Sequence, residues 1–154
     1  MIQHILKWCA SLQEDRIARF LRSFFPNNKR TRKRKKGALG IPPKRQWTSY
    51  SCTASVAQMV AHYYGIRIGH RKAIEMTQCK PDGATLAAVA QALRLSHRLR
   101  PRTLRSKAQI KAALRQGQPV MTNDDLNYIS DHAILLVGET PKGFWIADPA
   151  IGKV

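Results

Sequence analysis

The chain has 154 residues, which gives room for one compact domain with an extension. Its formal net charge of +18 is uneven, because residues 1–45 hold 13 of the 27 Lys and Arg residues and two of the nine Asp and Glu residues. The three cysteines, Cys9, Cys52 and Cys79, are odd in number and lack metal-like spacing, which argues against a disulfide framework or a zinc site. No metal or organic cofactor is therefore expected.

Residues 1–26 are predicted to form an amphipathic helix that ends near Pro26. Apolar side chains recur there at three-to-four spacing: Ile2, Ile5, Leu6, Cys9, Leu12, Phe20, Leu21 and Phe24. Charged residues interrupt this pattern, so it predicts neither a secretory signal nor a membrane span, and the chain is expected to be cytoplasmic. Two interpretations of the apolar face stay open: packing on the domain or a partner subunit, or peripheral contact with a membrane surface.

Residues 27–43 are predicted to be a basic flexible arm, and residues 44–154 the folded domain. The arm has too little apolar surface to form a core. It is either a solvated linker or a contact for a polyanion, such as nucleic acid or an anionic membrane surface. Its positive charges are Lys29, Arg30, Arg32, Lys33, Arg34, Lys35 and Lys36.

Within the domain, predicted helices precede predicted strands. Helices are expected at 53–64, 85–93 and 107–115, where apolar periodicity ends near a glycine or follows the turn at 81–83. Short β-rich runs at 119–121, 132–138 and 144–147 are expected to be strands, with the last two forming a hairpin. This order predicts an α+β domain.

Cys52 is the candidate nucleophile. It immediately precedes the helix expected at 53–64, where the positive end of the helix dipole favours a thiolate. Gln46, six residues earlier, is the candidate oxyanion donor together with the Cys52 backbone N–H. The alternative interpretations are a small buried cysteine and an ordinary surface glutamine.

His132 and Asp148 are the candidate base and its orienting carboxylate. If residues 139–143 form a hairpin loop, position 148 or 149 lies opposite position 132, which brings the carboxylate within reach of the imidazole. The alternative is a core or edge histidine. Cys79 and the remaining histidines, including His62 and His70, lie in no recognisable motif and are expected to be structural or surface residues. The aromatics Trp47, Phe144 and Trp145 are expected to lie in the core.

Four segments together resemble the peptidase C39 family of papain-like cysteine peptidases, the double-glycine leader peptidase type. They are QWTSYSCTASVAQMVAHYYG, DGATLAAVAQAL, GQPVMTN and DHAILLVGETPKGFWIADPAIG, and the similarity covers residues 46–152. The resemblance implies a papain-like fold with a central helix after the cysteine and an antiparallel sheet in the second half. It also implies the site residues Gln46, Cys52, His132 and Asp148. The family usually has Asp-Cys-Gly at the nucleophile, whereas this chain has Ser51-Cys52-Thr53.

The sequence therefore predicts a cysteine-type (thiol) peptidase that cleaves peptide bonds through a Cys-His-Asp triad. By resemblance, the substrate is a leader or precursor peptide with small residues such as Gly-Gly before the scissile bond. Two alternatives stay open. The same triad can pass the acyl group to an amine, as a transpeptidase or transglutaminase does, or the chain is a non-catalytic papain-like binding module whose basic arm contacts nucleic acid or an acidic partner.

Overall fold

The structure is a computed structural model that describes residues 5–9, 36–97, 99–124 and 132–154. These ranges contain four helices and five strands. In chain order they are β1 (Ile5–Cys9), α1 (Cys52–Tyr63), α2 (His70–Thr77), α3 (Leu86–His97), β2 (Arg100–Leu104), α4 (Lys107–Arg115), β3 (Val120–Asp124), β4 (His132–Glu139) and β5 (Phe144–Ala147). No helix within these ranges is long and apolar enough to cross a membrane.

The strands form one antiparallel sheet in the order β2-β1-β3-β4-β5. Successive residues of β4 point to opposite faces of the sheet, and both faces are covered. Ala133, Leu135 and Val137 belong to one buried cluster with α1, whereas Ile134 and Leu136 belong to a second cluster with α4. Strand β4 is therefore buried on both sides, which explains its nearly continuous apolar sequence.

Helix α1 is the central helix of the domain. All of its residues from Cys52 to Ala61 are buried, which fits its run of small and medium side chains. The chain leaves the helix through Gly65, whose φ of 80° is a left-handed conformation that glycine adopts without steric cost. The helix predicted at 53–64 is thus confirmed with a shift of one residue, and the α+β class is confirmed.

The predicted amphipathic helix over residues 1–26 is wrong at Ile5–Cys9, which form strand β1. This strand lies between β2 and β3, so its backbone groups bond on both sides. Pairing with distant strands outweighs the local helical pattern over these five residues. The rest of the predicted helix lies outside the described residues.

The predicted domain boundary at Lys44 is too late. Ala38 bridges Gly138 of β4, and the Leu39 backbone N–H donates to the Val137 carbonyl at 2.6 Å. A Cβ at Gly138 would overlap the Gly37 carbonyl oxygen and lie 2.8 Å from Ala38 Cα, so this close approach requires glycine. The described chain thus packs on the sheet from residue 37. The remainder of the predicted arm, including all its positive charges except Lys36, lies outside the described residues.

Candidate active site

Cys52 is the first residue of α1 and is 7% exposed. Ser51 holds the N-cap position, but its side chain makes no capping hydrogen bond to the helix. The N–H groups of the first turn therefore keep their partial positive charge without a side-chain partner. Cys52 thus lies at the N-terminal end of the helix, which is the position that the sequence predicted for it.

His132 and Asp148 are in direct contact. His132 Nε2 lies 2.7 Å from Asp148 Oδ1, and the two side chains are 23% and 29% exposed. His132 begins β4, and Asp148 directly follows the last residue of β5. Because Oδ1 has no proton when the carboxylate is ionised, the Nε2–H group donates this hydrogen bond, which leaves Nδ1 as the basic nitrogen of the neutral ring. The predicted proximity of the two residues is present in the structure.

A tight turn fixes the Asp148 carboxylate. Asp148 Oδ1 also accepts a hydrogen bond from the Ala150 backbone N–H at 2.8 Å. The Asp148 backbone pairs with Lys153, and its carbonyl accepts from the Gly152 N–H. The carboxylate is therefore held by its own turn as well as by the imidazole, which limits how far the histidine ring can swing.

The Gln46 amide points into its own loop. Its Nε2 donates to the carbonyls of Thr48 at 2.8 Å and Ser49 at 3.1 Å, while its Oε1 is buried without a partner among the described residues. The Gln46 backbone N–H donates to the Pro149 carbonyl at 2.9 Å, which ties this loop to the turn that carries Asp148. The structure thus joins the two loops, but it directs the amide donors of Gln46 to carbonyls instead of to an open site.

Cys52 and His132, the candidate nucleophile and base, lie on packed elements without a direct hydrogen bond between them. Cys52 and Ala133, the neighbour of His132, belong to the same buried cluster between α1 and β4. Within the described part of the chain, no hydrogen bond joins Cys52 Sγ to the imidazole. Contacts of this kind often tighten only when substrate binds. The described residues also include no group of three or more His, Cys, Asp or Glu side chains that could hold a metal ion.

Cys79, which the sequence left without a specific role, lies beside α1. It is buried, its thiol donates to the Tyr50 carbonyl at 3.2 Å, and Thr53 Oγ1 donates to its sulfur at 3.7 Å. Burial raises the pKa of the Cys79 thiol, which favours its protonated form. The Thr53 side chain is itself buried and held by this contact.

Two residues near the Cys52 loop, Trp47 and His70, make contacts that the sequence did not predict. Trp47 was expected in the core, but it is 69% exposed and its ring lies against that of His70, with centroids 4.7 Å apart. His70 is buried and contacts Ser51, the residue before Cys52. Sequence reasoning missed this contact because nothing local links a histidine to a serine 19 residues earlier.

Comparison with known proteins identifies the family and the fold of this chain. Residues 38–153 match the model of the peptidase C39-like family. The chain belongs to this family. One solved structure similar to this C39-like chain is that of a double-glycine-motif protease from an AMS/PCAT transporter in complex with a leader peptide. The two sequences are 22% identical, the TM-score is 0.60, and the match covers 78% of this chain and 81% of that chain. This likeness confirms the papain-like fold. A search of curated proteins gave no match.

Proposed function

We propose that this C39-like chain is a cysteine peptidase in which Cys52 is the nucleophile, His132 the base and Asp148 the orienting group. The observation that carries the proposal is the 2.7 Å contact between His132 Nε2 and Asp148 Oδ1, in a domain that also begins its central helix with Cys52. The structure brings two residues distant in sequence into contact, and Cys52 separately lies at a helix N-terminus. A histidine–carboxylate pair and a thiol at a helix N-terminus are the groups that thiolate chemistry uses.

The chemistry begins with transfer of the Cys52 thiol proton to His132 Nδ1. The thiolate then attacks the substrate carbonyl carbon, and the negative charge develops on the carbonyl oxygen near the N–H groups of the first turn of α1. Asp148 stabilises the imidazolium that forms and keeps the ring oriented. His132 next gives its proton to the leaving amine, and water, deprotonated by the same nitrogen, releases the acyl group and regenerates the thiol.

Gln46 is the proposed side-chain donor to the oxyanion. To act, its amide must turn away from the carbonyls of Thr48 and Ser49, which now accept both of its N–H groups. Its buried Oε1 has no partner among the described residues, so the rotation would break the two bonds made by Nε2 but none made by Oε1. The change is confined to one side chain, because the Gln46 backbone is anchored to Pro149.

The proposed substrate is a peptide with small residues, such as Gly-Gly, before the scissile bond. Support comes from membership of the C39-like family and from the fold shared with a protease for that motif. The threonine that replaces the usual glycine after the nucleophile does not oppose this, since Thr53 is 3% exposed and its hydroxyl is bonded to Cys79. Its side chain is buried in the interior of the domain.

A labelling experiment tests the nucleophile. Iodoacetamide should alkylate Cys52 faster than Cys79, and peptide mapping by mass spectrometry separates the two sites. Labelling of Cys52 should slow strongly in His132→Ala and stay unchanged in the matched variant Cys79→Ser. Labelling of Cys52 no faster than that of Cys79 would favour a non-catalytic binding module.

Turnover of two matched peptides tests the substrate. The peptides differ only in having Gly-Gly or Leu-Leu before the scissile bond, and the first should be cleaved with a kcat/KM at least about tenfold higher, since bulky side chains lose transition-state contacts. Cys52→Ala should lower turnover by about 10²-fold or more. Retained cleavage in Cys52→Ala would contradict the assignment.

A further inference from the structure

A hydrogen-bonded chain of side chains supports the loop between Gln46 and Cys52. Ser51 Oγ accepts from the backbone N–H groups of Trp47 at 3.2 Å and Thr48 at 3.1 Å. It therefore closes the loop on itself, joining the residues that follow Gln46 to the residue that precedes Cys52. This use of the hydroxyl explains why an N-cap serine makes no capping bond to its own helix.

The proton of the Ser51 hydroxyl has two acceptors within reach. One is the Thr48 carbonyl at 3.3 Å, which already accepts from Gln46 Nε2 and from the Ser51 backbone N–H. The other is His70 Nε2 at 3.2 Å. Because both lone pairs of the carbonyl are used, the hydroxyl proton goes to the imidazole.

The contacts of the other ring nitrogen of His70, Nδ1, indicate the same tautomer. His70 Nδ1 lies 3.4 Å from Gln58 Oε1, and the Gln58 amide nitrogen is fixed by donating to the Ile68 carbonyl at 2.9 Å. Gln58 thus presents an acceptor, so Nδ1 carries the hydrogen and Nε2 is left to accept from Ser51. The polar chain runs from Ile68 through Gln58 and His70 to Ser51, with His70 3% exposed.

We propose that His70 is a positioning residue for the Cys52 site: through Ser51 Oγ it fixes the loop of residues 46–51 and so sets the distance between the two oxyanion donors. This inference rests on the proposed peptidase function. The donors lie at the two ends of the loop, Gln46 at one and the Cys52 N–H at the other. His70, on α2, lies outside this loop, and its imidazole accepts the hydrogen bond from the Ser51 hydroxyl.

The substitution His70→Phe keeps the ring volume and the stacking against Trp47 but removes the acceptor. The hydroxyl of Ser51 is then left with the already saturated Thr48 carbonyl, and the loop loosens. Because small displacements of catalytic groups cost up to about a hundredfold in rate, kcat for the Gly-Gly peptide should fall at least about tenfold with KM nearly unchanged. His70→Gln restores an acceptor near the Nε2 position and should keep kcat within about threefold of the parent chain.

A double-mutant cycle tests whether His70 affects kcat through the Ser51 hydroxyl. Ser51→Ala removes the shared hydroxyl, so adding His70→Phe to Ser51→Ala should lower kcat by no more than about twofold further, whereas independent effects would multiply. His62→Phe is the matched control, since His62 also contacts the Ile68 carbonyl but makes no contact with Ser51. It should leave kcat unchanged.

The measurements are kcat and KM for the Gly-Gly peptide, with amide hydrogen exchange of residues 47–51 and the melting temperature recorded for each variant. Faster exchange in His70→Phe, a lower kcat, and recovery of both in His70→Gln are expected. An active parent chain together with an unchanged kcat in His70→Phe, or an equal loss in His70→Gln, overturns the positioning role. A parent chain that cleaves neither peptide overturns the proposed function instead, and the two failures are therefore distinct.

Discussion

Replacing Asp148 by alanine tests the contact on which the proposed chemistry depends. The substitution removes the acceptor of the His132 Nε2–H group, 2.7 Å away, and leaves the ring free to rotate. A hydrogen bond to a charged group contributes about 1.5–3 kcal/mol, and both side chains are less than a third exposed, so most of this value should apply. At about 1.36 kcal/mol per tenfold change in rate, kcat should fall by about 10- to 100-fold.

Single-turnover cleavage of the Gly-Gly peptide is the assay, because it isolates the chemical step from product release. Asp148→Asn is the matched control, since its side-chain oxygen can still accept from Ala150 N–H and preserve the turn. We expect an intermediate rate, because a neutral amide orients the ring without stabilising the imidazolium as strongly. Cleavage by Asp148→Ala at the parent rate would show that the contact between His132 and Asp148 has no part in the reaction.

Three further predictions follow from other parts of the structure. Burial lowers the pKa values of His62 and His70, so below about pH 6.5 the unfolded chain binds more protons than the folded chain, and the melting temperature should fall as the pH is lowered from 7.5 to 5.5. The double variant His62→Gln/His70→Gln should show a smaller fall in melting temperature over this pH range, and an equal fall would contradict this cause. Gly138→Ala should lower the free energy of unfolding by about 1–3 kcal/mol because its Cβ meets the backbone of residues 37–38, whereas Gly143→Ala, with nothing within 4 Å, should leave denaturant unfolding unchanged. If residues 29–36 contact a polyanion instead of forming a solvated linker, replacing their seven Lys and Arg residues by Gln should abolish salt-dependent binding of the chain to heparin. Heparin binding that persists would assign the contact to the exposed Arg94, Arg100, Arg102 and Arg105.

Elements with strong local signals were predictable from the sequence. Helix α4 has the predicted bounds, because Ser106 caps it by accepting from the Gln109 N–H and Gly117 ends it with a φ of 75°. Strand β5 also has the predicted bounds, since a short β-rich run follows the hairpin loop. In both cases the residues that define the ends of the element lie within or next to it.

Elements with weak local signals were missed. Helix α2 buries His70, Ala73 and Thr77, of which two are polar, so no apolar stripe marks it in the sequence. Strand β2 contains Pro101 and mostly exposed side chains, which is tolerated because it lies at the edge of the sheet. Its partner β1 lies almost a hundred residues earlier, and no local pattern specifies a pairing over such a separation.

The site shows the same division between local and distant information. The Cys52 position could be predicted because a helix start is a local feature. The role assigned to His70 could not, because it depends on how α2 packs against the loop before α1.

The contact between His132 and Asp148 could be predicted from the sequence only in part. Hairpin geometry predicted that position 148 or 149 lies opposite position 132, but the observed ladder pairs Leu135 with Ala147 and shifts its register between Leu136 and Gly138. Continued from Leu135, the pairing would place position 150 opposite His132. The carboxylate still reaches the imidazole because the chain turns at Asp148, where Oδ1 accepts from the Ala150 N–H and the backbone pairs with Lys153. The hairpin therefore brings the two residues into the same region, and the turn after β5 sets the final distance. Substitutions in residues 149–153 should consequently affect the orientation of the histidine although none of these residues takes part in the proposed chemistry.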